Sequence, residues 1–236
     1  MSAGHIHGAP DTALDRQLQV FAHDVGDLYR RQKERSEELE SALATIKTAY
    51  LETIRSLAFV VEAKDAGTGQ HLERCRVYGV ALMEALGVAD QHPDAEYGFL
   101  LHDAGKVGVP ERILSKPGPL TAMEWRIMRM HPVIGYQMLE HIPFMATAAE
   151  IVRCHHEMFD GTGYPEGLAG EEIPLAARAF SVVDAFDAMT SDRPYRAAMS
   201  LDQAGAELVK MAGTQFDPEV VAVFVPMIDT LSVPGR

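Results

Sequence analysis

Five of the ten histidines in this 236-residue chain, His71, His102, His131, His155 and His156, fall on or beside segments with helical apolar spacing. A lone histidine on such a helix is ordinarily a hydrogen-bonded core or surface residue. The pairs His102–Asp103 and His155–His156 change that reading, because adjacent ligand-capable side chains at helix ends need a shared polar centre if they are buried. Asp184 adds a carboxylate inside the strongly apolar stretch AARAFSVVDAFDAM, where an unpaired charge is costly and calls for a cation or several donors. Imidazoles and carboxylates without a thiolate suit iron or manganese better than a structural zinc. These donors exceed one tetrahedral site, so two divalent first-row metals are expected, with Asp103 able to bridge them through its two oxygens.

The elements that must position these residues read as helices. Apolar residues recur at helical spacing around Val77–Leu86, Ala95–His102 and Trp125–Ile142, and no alternating strand pattern is convincing. Thr121 with Glu124 and Ser200 with Gln203 have capping-box spacing, and Asp217–Pro218 reads as an N-cap followed by proline at the first helical position. Two Gly- and Pro-rich segments, Gly105–Leu120 and Phe159–Pro174, read as long ordered loops, where function tends to sit.

Upstream, Leu14 to Val61 contains no proline, and Leu14, Leu18, Phe21, Val25 and Leu28 follow a four-three rhythm continued by polar Gln32 and Arg35. This is a coiled-coil seam. Its phase slips at Leu39–Leu43, resumes through Ile46 and Tyr50, and slips again at Ile54 before Leu57 and Val61, as stutters do. A parallel homodimer through this helix is expected. The alternative is an amphipathic helix packed on its own domain. The expected division is an N-terminal helical dimerisation and signalling segment, 1–62, followed by a catalytic domain, 63–236.

Composition bounds the function. A net charge of −13 argues against a nucleic-acid polymer as partner, while a metal and local cations still permit a small phosphate ligand. No stretch is apolar enough to span a membrane, and the N-terminus lacks the pattern of a secretory signal, so a cytoplasmic location is expected. Cys75 and Cys154 are too few for a disulfide framework and read as buried thiols.

HDAGK (102–106), HHEMFDGTGYP (155–165) and VVDAFDAMTSDRPYR (182–196) together resemble the signature of the HD-GYP family. The resemblance runs from about Lys64 to Asp217 and includes KDAGTGQH (64–71), LSKPGPLTAMEW (114–125) and the His-Pro pair at 131–132. It implies an all-α, HD-type multi-helix bundle, with metal ligands at His71, His102, Asp103, His131, His155, His156 and Asp184. It further implies hydrolysis of cyclic di-GMP, mainly to the linear dinucleotide, by a metal-bridging hydroxide. Asp103 and Lys106 would be catalytic. Lys106, Gly163, Tyr164, Asp187, Arg193 and Arg196 would contact or shape the substrate site, although the two arginines also read as solvated surface charges. Family members with a third metal carry a glutamate four residues before the first ligand histidine; here that position is Gly67, so two metals are expected, with Glu62 or Asp65 left as the carboxylates that could approach if the helix bends. Two other classes stay open: a cyclic-dinucleotide-binding module without turnover, and a hydrolase of another phosphate substrate, such as a different cyclic dinucleotide.

Overall fold

The proline-free stretch forms one helix, α1 (Thr12–Glu62). The computed structural model describes residues 12–62, 70–192 and 197–231; Asp65, Gly67, Arg193 and Arg196 lie outside them. The chain divides into two units, one up to Leu51 and one from Glu52 onward. In the first unit Leu14, Leu18, Phe21, Val25, Leu28, Leu39, Leu43 and Ile46 are all 48–68% exposed. None of these seam residues is buried within the chain. In the second unit, beyond the second phase slip, Ile54 is buried together with Ala58, whereas Leu57 stays exposed.

The second unit continues with α2 (Gln70–Ala85), α3 (Ala95–Leu101), α4 (Glu111–Leu114), α5 (Ala122–Met128), α6 (His131–Leu139), α7 (Ala146–Cys154), α8 (Leu175–Thr190), α9 (Leu201–Lys210) and α10 (Pro218–Phe224). Among the described residues no strand forms, and only two isolated bridges occur, Asp160 with Ala169 and Ala212 with Phe216. The apolar helix α8 is central because it is hydrophobic around most of its circumference, and it packs against α2, α7, α9 and α10. Its Phe180 stacks on Phe99 of α3 with ring centroids 5.3 Å apart, and Phe186 meets Tyr78 of α2 and Phe224 of α10 edge-on. Each fully buried ring of this kind contributes about 1.5–3 kcal/mol through burial alone.

The three helix starts read from the sequence are present: Thr121 and Ser200 form capping boxes, and the Asp217 side chain accepts from Glu219 N. Asp217 is buried and also pairs with Arg178 of α8, tying α10 to the central helix. Two readings are corrected. Trp125–Ile142 is two helices, broken at Arg129–Met130, with Pro132 in the first turn of the second, where a missing N–H costs nothing. Gly105–Leu120 is not a plain loop, since Ala104–Gly108 forms a 3-10 turn and α4 follows.

That 3-10 turn explains the glycine of HDAGK. A Cβ on Gly105 would lie 1.8 Å from the His131 carbonyl oxygen and 2.5 Å from Gly135 N, so only glycine lets the turn seat against α6. Gly105→Ala is expected to destabilise the domain by about 2–3 kcal/mol, as overpacking against backbone does. The melting temperature should fall by roughly 5–10 °C in a thermal scan of the metal-free protein. An unchanged melting temperature would show that the turn can move away at little cost.

Candidate metal centre

Helix ends deliver most of the polar residues. His102 caps the C-terminus of α3 with Asp103 beside it, His131 begins α6, His155 caps α7 with His156 following, and His71 lies in the first turn of α2. Asp184 projects from the middle of α8. The five imidazoles make a connected array: His71–His102, His102–His155, His131–His155, His131–His156 and His155–His156 have ring centroids 4.1–5.4 Å apart. The seven residues expected at the centre are thus brought together. Two neighbouring sets of donor atoms result, with no residue in common. Those of Asp103, His131, His155 and His156 lie within 4.8 Å of one another, as do those of His71, His102 and Asp184.

Asp103 stands between the sets. Its Oδ1 is 3.3 Å from His131 Nε2, while its Oδ2 is 3.3 Å from His102 Nε2 and 2.8 Å from Lys106 Nζ. The two oxygens of one carboxylate therefore face different histidines.

Hydrogen bonds on the far side of the rings fix the tautomers. Nδ1 of His102, His131 and His155 donates to the carbonyls of Phe99, Met128 and Val152 at 3.0, 2.8 and 2.9 Å. A carbonyl can only accept, so each Nδ1 carries a proton and Nε2 is the nitrogen turned inward, presenting a lone pair wherever the ring is neutral. His131 Nε2 and His155 Nε2 consequently face each other at 3.3 Å with no proton to share. Buried lone pairs aimed at one another fit a cation and are unfavourable without one.

The titration behaviour agrees. Burial, with the neighbouring imidazoles His156 and His102, holds His155 well below its usual range. Burial and His131 push His156 down to about 4, and burial outweighs the attraction of Asp103 to lower His131. These rings are neutral and ready to ligate. Burial opposes ionisation of Asp103, but Lys106, His102 and His131 outweigh it and hold this carboxyl well below the usual carboxylate range. Burial likewise opposes charge on His102 and His71, yet Asp103 raises the first, and Cys75, Asp187 and Asp184 raise the second. Protons on His71 and His102 thus balance the acids, and a cation would compete with them.

The GYP loop closes one side. Gly163 doubles back onto the preceding segment, where a Cβ would meet Met158 N at 2.3 Å. Tyr164 stacks on His156 at 4.7 Å, and the Arg129 guanidinium lies over the Tyr164 ring, 5.0 Å from its centroid. A cleft of about 590 Å³ opens beside His155, His156, Tyr164 and Asp184, with Met189, Met211 and Phe216 farther along its wall. This is large enough for a nucleotide-sized ligand.

One expected site residue is placed differently. Asp187 is 1% exposed, with its carboxylate engaged by His71 and Arg74, so it offers no surface to a substrate. Burial, an apolar environment and two donors explain the difference from the expected contact. The sequence reading also passed over three residues. Glu157, buried, accepts from the backbone N–H groups of Glu166, Gly167 and Leu168 and so holds the loop shut. Its signal was its place inside the HHEMFDGTGYP motif. Arg74 follows His71 by one turn, the only hint it gives, and nothing in the sequence pointed to Arg129.

A family model described as an HD domain matches residues 60–220. A cyclic di-GMP phosphodiesterase of Vibrio cholerae is 39% identical over 229 residues, covering 90% of this chain and 46% of its own. The cyclic di-GMP phosphodiesterase response regulator RpfG of Xanthomonas campestris is 40% identical over 231 residues, covering 94% of this chain and 61% of its own. The chain thus spans about half the length of these curated relatives. Among solved structures, a cyclic GMP-AMP-specific phosphodiesterase of V. cholerae shares the fold with a TM-score of 0.59 at 20% identity, over 75% of this chain and 48% of that one.

Proposed function

Since the chain belongs to the HD-domain family, in its HD-GYP form, we propose that it is a two-metal phosphodiesterase that opens cyclic di-GMP. The observation that carries this reading is the placement of the two Asp103 oxygens between two sets of neutral or cation-ready donors. One cation would be held by Asp103, His131, His155 and His156, the other by His71, His102 and Asp184, with Asp103 shared. Two divalent cations held there would supply Lewis-acid chemistry at the phosphoryl group and would lower the pKa of an attacking water toward neutrality. The donor set favours iron or manganese.

The protein's own residues do the rest. Lys106, on the turn that seats against α6, lies 2.8 Å from Asp103 and shares its positive charge with a phosphate oxygen as negative charge grows there. Tyr164, braced by His156 and Arg129, forms a wall against which a base or sugar can lie. Glu157 keeps that wall in place by closing the loop. Arg193 and Arg196 belong to the same proposal as phosphate or guanine contacts, carried by sequence alone.

The test is turnover of purified protein on cyclic di-GMP with metal content measured alongside. About two first-row metals per chain are expected. Stoichiometric zinc in a single site, or three metals, would overturn the two-metal reading. Cyclic GMP-AMP belongs in the same assay, because relatives are named for each substrate.

The proposal extends to assembly and place. The exposed stripe from Leu14 to Ile46 supports a parallel homodimer, and residues 1–62 would relay a signal to the catalytic domain from residue 63. Light scattering at micromolar concentration should give twice the chain mass of 25.9 kDa. A monomer would remove the dimer from the proposal. Among the described residues no helix is long and apolar enough to cross a membrane, and we place the enzyme in the cytoplasm with its second-messenger substrate.

A further inference from the structure

His71 is oriented by a different device from three of the other histidines of the centre. His102, His131 and His155 donate Nδ1–H to a carbonyl three residues earlier, so the local backbone fixes each ring. His71 Nδ1 instead lies 2.7 Å from Oδ2 of Asp187, a side chain that comes from α8 across the helix interface. Asp187 is itself gripped by Arg74, through Nε to Oδ1 and through Nη2 to Oδ2 at 3.0 Å. Arg74 Nη2 also reaches Ser191 Oγ at 2.8 Å, so the guanidinium is anchored at both ends.

Asp184 and Asp187 are three residues apart on α8 and therefore share a face. They address opposite edges of one ring, since His71 Nε2 is 3.7 Å from Asp184 Oδ1 while Nδ1 meets Asp187. An ionised carboxylate only accepts, so Nδ1 keeps its proton and Nε2 is the nitrogen left to face Asp184 and His102. Cys75 Sγ, fully buried, lies 3.5 Å from the same Nδ1 and closes the space behind the ring.

Resting on the two-metal reading, we propose that Asp187, locked by Arg74, is the positioning residue for His71. It fixes the Nδ1–H tautomer, aims Nε2 at the cation shared with His102 and Asp184, and does not touch the dinucleotide. Carboxylates behind ligand histidines act in this way generally, and their loss weakens metal binding roughly 10–100-fold. The effect here is confined to one of the two sites, because His131, His155 and His156 have no contact with Asp187 in this network.

The decisive variant removes the pair together, Arg74→Met with Asp187→Leu, because taking either partner alone strands a buried charge. The metal-free double variant should melt cooperatively, as the wild type does. Titrated with manganese(II) in competition with a chelator, it should hold about one ion per chain tightly where the wild type holds about two. The second ion should bind roughly 10–100-fold more weakly. Two ions at wild-type affinity would overturn the positioning role, whereas a wild type that binds none would overturn the two-metal reading itself. A second measurement needs no variant. In zinc-loaded wild type, ¹⁵N spectra should show His71 protonated at Nδ1 and metal-bound at Nε2; coordination through Nδ1 would overturn the proposal even if the double variant failed to fold.

Discussion

Asp103→Ala is expected to leave a folded protein that neither retains its metals nor turns over cyclic di-GMP. Asp103 touches both donor sets, with Oδ1 near His131 and Oδ2 near His102, and it is also the carboxylate beside Lys106. Its removal takes an anion from each cation at once and leaves Lys106 among imidazoles, where its charge would repel an incoming metal. The side chain is about a quarter exposed, so the fold loses little packing. Helical circular dichroism should therefore persist while elemental analysis after desalting finds no stoichiometric metal. A variant that keeps about two metals and the wild-type rate would show that the bridge is misassigned. Asp103→Asn separates shape from charge: it keeps the side-chain volume, and its metal retention should also collapse, because a neutral amide is a poor ligand for a shared pair of hard cations.

Much of this centre was legible in the sequence because its parts come as adjacent pairs at helix ends. His102–Asp103 and His155–His156 have only one way to be buried together, and the caps at Thr121, Ser200 and Asp217 mark helix starts by local chemistry that tertiary contacts do not alter. What escaped depends on long-range packing. Asp187 sits three residues from Asp184 on one helix face, so spacing alone could not tell a substrate contact from a buried anchor; Arg74, 113 residues away in sequence, decides it. The break at Arg129–Met130 was hidden because apolar spacing runs on through it, and the rigid turn at Ala104–Gly108 was hidden because its glycines read as a loop. The exposed stripe of α1 was legible as a pattern, whereas the burial of Ile54 and Ala58 at its end is set by neighbours that periodicity does not name.

Cyclic di-GMP should be opened mainly to the linear dinucleotide, with slower conversion to the mononucleotide. The substrate has two diesters, while the centre has one Asp103 and one Lys106, 2.8 Å apart, to serve a single scissile phosphate. Four residues before His71 stands Gly67, which offers no carboxylate for a third cation that could hold the second phosphate ready. The linear product must then leave and rebind in a new pose before its remaining diester reaches Lys106, so it accumulates. Lys106→Ala should slow the first cut by roughly a hundredfold or more, the usual consequence of losing one pre-organised charge at a transition state, with metal content unchanged. Chromatography of a time course decides the matter. A linear peak that rises and then slowly declines supports this order of events, and direct appearance of mononucleotide without it would refute the dissociation step. No cleavage at all under anaerobic iron or manganese loading would instead favour a module that binds the nucleotide without hydrolysing it.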